Sequence, residues 1–259
     1  MQPFEYVAPT TVAEASDLLI KYQGSARVVA GGTDLLLKMK AGRLAPKAII
    51  NIKRIPDLRG ISQRDSLIAI GALTTLEQLR TSPLIRQHHP ALAAAAATMA
   101  SVQIRNLATV GGNLCNAAPS ADLAPILIAL GATARIVGRG GERRVPLDDF
   151  FTGPGATVLA PGELLSAVEL PSPVGPALYL KLSPRACMDI AVVGVGLAVQ
   201  FSDRVCVAAR IVLGAVAPTP LRARRAEAEL SGGPLTRERI ERAAALAAAD
   251  CAPIDDVRG

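Results

Sequence analysis

Two stretches of the chain set adjacent glycines beside small polar residues: VVAGGTDLLLKMK at 28–40 and LATVGGNLCNAAPSAD at 107–122. In each, a Gly-Gly pair ends an apolar run and precedes Thr or Asn. A strand, a Gly-Gly turn and a helix start leave backbone N–H groups free, a setting that suits phosphate. Missing Cβ atoms let the backbone approach a ligand. Thr33 and Thr109 supply hydroxyls, Asn113 and Asn116 supply amides, and Asp122 accepts from a hydroxyl or amine. Neither stretch carries G-x-G-x-x-G or a Walker Gly-Lys-Ser/Thr. Singly, each also suits an ordinary tight turn. Together they predict two loops clasping one extended ligand, and a dinucleotide with a central pyrophosphate fits.

Other chemistry-bearing residues are sparse. Cys115, Cys187, Cys206 and Cys251 have no C-x-x-C spacing, so neither a zinc site nor an iron–sulfur cluster is expected in this chain. They do not form a secreted disulfide framework, and reduced thiols in the cytoplasm are expected. Cys115 reads as a small buried residue rather than a redox thiol. His88 and His89 precede Pro90 on a polar helix end and are predicted to face solvent. The net charge is +6, yet arginines are interleaved with acids, and there is no Trp with only four Phe and three Tyr. That composition suits a solvated surface better than nucleic-acid binding, which favours aromatic stacking platforms. Arg225/Glu229 and Arg237/Glu241 stand at helix-neighbour spacing. No signal peptide or bilayer-length apolar run is visible.

Elements must position the two loops. FEYVAP (4–9), ARVVAG (26–31) and AIINI (48–52) read as strands, separated by a helix in TVAEASDLLIKY with Thr11 and Glu14 at capping-box spacing and by TDLLLKMK, with Thr33 or Asp34 near its N-cap. That makes a β-α-β-α-β unit. From Pro56 the texture changes: a hairpin turning near Arg64-Asp65, helices beginning near Thr75, Pro83 and Pro90, and an apolar helix from Asp122 to about Leu130. PSPVGP (171–176) marks a boundary. Three β-rich runs and two Ala/Arg/Glu helices follow, an α+β pattern. The expected division is 1–55, 56–172 and 177–259.

AGGTDLLLKMK and IRNLATVGGNLCNAAPSADLAPILIAL, followed by GELLSAVELP (162–171) and YLKLSPRACMDIAVVGVGLAV (179–199), resemble the FAD-binding (medium) subunit of the molybdenum hydroxylases of carbon monoxide dehydrogenase and xanthine dehydrogenase type. The likeness runs in order along nearly the whole chain. It implies an α+β, vanillyl-alcohol-oxidase-type (PCMH-like) fold, with two FAD-binding subdomains and a C-terminal α+β flavoprotein domain. By resemblance, Val29, Ala30, Gly31, Gly32, Thr33, Asp34 and Leu35 would wrap the pyrophosphate. Thr109, Gly112, Asn113, Asn116 and Ala117 would form the second pyrophosphate and ribityl loop. Asp122 would reach the adenosine ribose, and Leu164 and Leu165 would pack the adenine. Lys181 would stand near the isoalloxazine and stabilise negative charge there; Tyr179 is either a ring neighbour or a core residue. Ser183-Pro184-Arg185-Ala186 replaces the family's frequent arginine pair, no cysteine-rich insert for an extra cluster is present, and a C-terminal tail beyond DDVRG is expected to be absent or disordered.

The same resemblance implies an oxidoreductase electron-transfer subunit. FAD would take electrons from [2Fe–2S] clusters on a small partner subunit, which receive them from a molybdenum cofactor on a large molybdopterin-binding subunit. The assembly would be a heterotrimer or its dimer, and the external acceptor NAD⁺, a quinone, a cytochrome or dioxygen. No catalytic side chain and no metal ligand are expected here. A free-standing FAD-dependent oxidoreductase of the same fold and a flavin-free assembly module remain the alternatives.

Overall fold

The computed structural model describes residues 1–255; residues 256–259, and with them the expectation about a C-terminal tail, lie outside the described residues. The chain begins with β1 (Glu5–Val7), α1 (Val12–Lys21), β2 (Ala26–Val29), α2 (Leu35–Lys40) and β3 (Ala48–Asn51). The strands form a parallel sheet in the order β1-β3-β2. Thr11 caps α1 by accepting from the Glu14 N–H. The Glu14 carboxylate turns outward to the Thr10 N–H instead, so the capping box is only half made. Ala15 of α1 packs over Ala26, Ala48 and Ile50.

The second unit begins with the hairpin β4 (Ile61–Arg64) and β5 (Leu67–Gly71), turning through Asp65 in a left-handed conformation (φ 52°). Helices α3 (Leu76–Thr81), α4 (Pro83–His88), α5 (Pro90–Ala97), α6 (Val102–Arg105), α7 (Val110–Asn116) and α8 (Leu123–Ala129) follow, most of them opened by a Thr or Ser cap or by proline. Next come β6 (Thr133–Gly138), β7 (Gly141–Pro146), a short pair β8 (Phe151–Gly153) and β9 (Ala156–Thr157), and β10 (Leu164–Pro171). The sheet is antiparallel in the order β4-β5-β10-β6-β7. β10 is central, which is why LLSAVELP is buried almost throughout. Its register against β6 slips between Leu165 and Ala167, and such bulges commonly re-aim chain beside binding sites. Leu79, Leu92, Leu114, Ile126 and Phe150 are fully buried in the core below this sheet, each contributing about 1.5–3 kcal/mol by burial.

The third unit is an antiparallel sheet of β11 (Ala177–Leu182), β12 (Val193–Ser202), β13 (Val205–Gly214) and β14 (Leu221–Arg222), with β15 (Gly233–Pro234) also on β13. α9 (Arg224–Leu230) and α10 (Arg237–Ala249) pack beside it. The sheet sits on α8: a Cβ built at Gly196 would lie 2.5 Å from the Pro125 backbone. Gly196, and Gly214 on β13 facing Pro125, therefore let strand and helix meet without side chains between them.

Three local expectations are corrected. His89 is buried rather than solvent-facing, at 2% exposure, and burial pushes its pKa down, keeping the ring neutral. Arg225 does not pair with Glu229: it reaches Asp250 at the end of α10, while Glu229 takes Arg242. Arg237 and Glu241 do pair, at 2.8 Å. Finally, Gly111 and Gly112 lie inside the first turn of α7 with no strand before them.

Candidate functional site

A cleft of about 1020 Å³ opens between the first two units, at the upper end of the range for small-molecule sites, about 300–1,000 Å³. The end of α1, residues 26–35, α7, and the chain from 155 to the start of β10 line it. Residues 29–35, Gly112, Asn113, Asn116, Leu164 and Leu165 are all brought to this cleft. Thr109 and Ala117 stand just behind the wall. The Thr109 hydroxyl caps α7 by accepting from Gly112 N–H at 3.0 Å. Ala117 closes α7 in a left-handed conformation (φ 44°), and its carbonyl accepts from Gly155 N–H.

The glycines divide by role. A Cβ on Gly31 would fall 2.3 Å from the Leu107 carbonyl oxygen, and one on Gly111 would meet Ala72. These two glycines serve contact between protein segments rather than ligand approach. Gly112 differs: an added Cβ would meet only the Thr109 hydroxyl, at 2.9 Å, and otherwise face the cleft.

The polar inventory fits an anionic, hydroxyl-bearing ligand. The N–H groups of Gly31, Gly32, Thr33 and Asp34 have no acceptor among the described residues, and Gly32 takes φ 84°. Consecutive free amides of this kind form a concave anion nest. α2 and α7 have only six and seven residues, so the individual N–H groups carry the site more than any summed dipole. Across the cleft, the Asn113 side-chain oxygen is buried without a donor. Such an orphan is costly unless a partner arrives. The Cys115 thiol also borders the cleft, but burial pushes its pKa up to about 12, so it is neither a thiolate nor a nucleophile.

Asp122 and Lys181 lie outside the cleft lining and form an ion pair at 3.1 Å, with side chains 10% and 7% exposed. Tyr179 donates its hydroxyl to the other Asp122 oxygen at 2.7 Å, and Lys181 also donates to the Asp189 carbonyl. Burial, and then the Asp122 charge, push the Tyr179 phenol far up, so it remains a donor. The expectation that Asp122 serves the adenosine ribose while Lys181 serves the isoalloxazine sets them at opposite ends of an extended dinucleotide. Their direct pairing brings them to one place, where α8 meets β11.

Residues not anticipated also shape the site. Lys38 lines the cleft and donates to the Asn116 side-chain oxygen at 2.7 Å. Ile104 lines it from α6, whose Arg105 anchors the helix on Glu77 and on the carbonyls of Met99 and Ala100. Hydrogen bonds from Arg80 and Arg105 hold the Glu77 carboxyl down at about 2. The IRN text before the second glycine pair was visible in the sequence; its partner Glu77 stands 28 residues away and was not.

Comparison with known proteins agrees with this architecture. Residues 2–173 match the family described as FAD binding domain in molybdopterin dehydrogenase, and residues 178–259 match the CO dehydrogenase flavoprotein C-terminal domain. The chain is 37% identical over 257 residues to the carbon monoxide dehydrogenase medium chain of Hydrogenophaga pseudoflava, covering 99% of this chain and 90% of that one. It is 36% identical over 248 residues to the nicotinate dehydrogenase FAD-subunit of Eubacterium barkeri, covering 93% and 84%. Among solved structures, carbon monoxide dehydrogenase from Hydrogenophaga pseudoflava superposes with a TM-score of 0.96 at 38% identity, covering 100% of this chain and 91% of that chain. The quinoline 2-oxidoreductase of Pseudomonas putida 86 gives 0.93 at 31% identity, covering 100% and 90%. Two matched families spanning the chain, with relatives more than 30% identical along nearly its whole length, make it a member of the FAD-binding medium-subunit family of carbon monoxide dehydrogenase and xanthine dehydrogenase type.

Proposed function

We propose that this chain is the flavoprotein subunit of a molybdenum-containing hydroxylase or dehydrogenase. The observation that carries the reading is the row of unpaired N–H groups at Gly31–Asp34 facing the orphaned Asn113 oxygen across one long cleft. FAD, when bound, would accept electrons from [2Fe–2S] clusters of a small partner subunit and pass them to an external acceptor. The chain's own residues bind and orient. The 31–34 amides receive the diphosphate, and Asn113 accepts from a hydroxyl of the sugar chain. Leu164 and Leu165 flank the adenine. Lys181, paired with Asp122 outside the cleft lining, would stand near the isoalloxazine, where its ammonium would favour negative charge on the ring.

Residues 1–55 and 56–172 serve as the two FAD-binding subdomains and 177–259 as the C-terminal domain, in keeping with sheets built from 5–51, 61–171 and 177–234. The partners are a large molybdopterin-binding subunit and the small [2Fe–2S] subunit, in a heterotrimer or its dimer. Relatives named as a medium chain and an FAD-subunit support this. The molybdenum substrate is chosen on the large subunit. No helix among the described residues is long and apolar enough to cross a membrane, and the four free cysteines suit the cytoplasm. The test is the visible spectrum of the purified chain, with identification of the released chromophore and of co-purifying subunits. Oxidised-flavin bands with FAD released are expected. A colourless chain that refuses added FAD, alone and with its partners, refutes the reading.

A further inference from the structure

Of the residues lining the cleft, only Arg27 and Lys38 carry positive charge among the described residues, against Asp34 and Glu163. Two of these four charges already have protein partners. Arg27 is turned onto the Gly24 and Ala26 carbonyls at one end of the cleft. Glu163 is held by two bonds from Arg143 and one from Ala160 N–H. Asp34 sits at the start of α2, beside its solvent-exposed first turn. Lys38 is the cation that reaches across to the opposite wall. Its ammonium has no carboxylate partner among the described residues, and its recorded partner is a neutral amide, Asn116, 78 residues away on the opposite loop.

That contact spans the cleft. Lys38 stands one turn after Asp34, at the end of the 31–34 amide row, and Asn116 ends α7 on the facing wall. A diphosphate seated on the free amides brings negative charge beside Lys38, whose ammonium makes no ion pair among the described residues. An ammonium has three donors, so Lys38 keeps Asn116 and still offers N–H groups to a phosphate oxygen.

We propose that Lys38 is a binding residue for the FAD diphosphate, a cationic strap that ties the first loop to the second over the bound cofactor. This rests on the FAD reading above and deepens it. The strap acts on the phosphates and leaves the ring alone. It therefore discriminates FAD from riboflavin, which has the same ring and no phosphate. Because Lys38 is exposed, its contribution is screened by salt.

The experiment titrates the full-length, flavin-stripped chain with FAD and with riboflavin, following flavin fluorescence, at low and high sodium chloride. Wild type, Lys38→Met and Lys38→Arg are compared. At low salt Lys38→Met is expected to weaken FAD about tenfold, the scale of one exposed charge contact, and to leave riboflavin unchanged. High salt narrows the gap, and Lys38→Arg retains most of the affinity. Equal FAD affinity and equal salt dependence in wild type and Lys38→Met overturn the proposal, as does an equal loss for FAD and riboflavin. A wild-type chain that binds neither flavin overturns the FAD reading itself, and the strap with it.

Discussion

Replacing Gly112 with valine separates cofactor binding from folding. Two local effects on the protein nearly cancel. Glycine inside a helix costs about 1 kcal/mol relative to alanine, and valine recovers part of that. The new Cβ would stand 2.9 Å from the Thr109 hydroxyl, displacing the cap that Gly112 N–H now uses at 3.0 Å. A lost cap costs about 1 kcal/mol. The ligand-free protein is thus expected to melt within a few degrees of wild type. The cleft fares differently, because nothing else of the protein fills the space before Gly112. On the proposed reading, two γ-methyls there stand where the diphosphate would meet the wall. At a FAD concentration a hundredfold above Kd, wild type gains about 2.7 kcal/mol from binding, which for a chain of this size is roughly 5–10 °C in Tm. Gly112→Val is expected to lose that shift and the visible absorbance of bound flavin. The assay is a pair of thermal melts, with and without FAD, beside a measurement of bound flavin per chain. Stoichiometric FAD with a full thermal shift in the variant would refute the assignment of this wall. A ligand-free melt lowered by far more than the cap accounts for would instead make Gly112 a packing glycine.

Other substitutions probe other parts. Gly31→Ala drives a Cβ into the Leu107 carbonyl and should destabilise by about 1–3 kcal/mol in thermal melts with or without FAD; an unchanged ligand-free melt contradicts the loop-packing role. Lys181→Met leaves Asp122 buried with only Tyr179 as donor, so urea denaturation should show a loss of about 3–5 kcal/mol, with partial recovery in Lys181→Met/Asp122→Asn and, in the FAD-loaded protein, a lower flavin potential. An unaltered potential would place Lys181 away from the ring. Glu77 is depressed from 4.5 to about 2 by Arg80 and Arg105. Its stabilisation is therefore complete above about pH 4.5 and is lost as pH falls toward 2, because the unfolded chain takes up the proton first. Glu77→Gln should flatten the pH dependence of stability in that window, and a slope identical to wild type there would discount the clasp.

Local signals were readable from the sequence and distant ones were not. Thr11, Thr75, Ser82, Thr109 and Thr236 each accept from the N–H three residues on, as short-range chemistry predicts. The Arg64-Asp65 turn and the proline-opened helices lie where their residues put them. The twin glycine stretches looked alike on paper yet differ in space: one is a turn after a strand, the other the first turn of a helix resting against Ala72. That difference comes from a tertiary neighbour, which residue spacing does not encode. His89 is adjacent to polar residues in the sequence, but its environment is set by packing of the α4–α5 corner. The Asp122–Lys181 pair and the Lys38–Asn116 bond join residues 59 and 78 positions apart. Single-chain patterning could place each residue on an element, and only the fold brings the elements together.

The position of β10 has a consequence for the order of biosynthesis. Every residue lining the cleft lies between positions 19 and 165, so the cleft is encoded wholly upstream of the C-terminal sheet. Yet the second sheet is strung β4-β5-β10-β6-β7, and its middle strand is the last of the five to be translated. The hairpins on either side have no shared partner until residues 164–171 leave the ribosome, and the cleft wall at Leu164 and Leu165 arrives at that same moment. Domains emerge and fold from the N-terminus onward. The nascent chain is thus expected to complete its cleft only when β10 emerges, just ahead of β11.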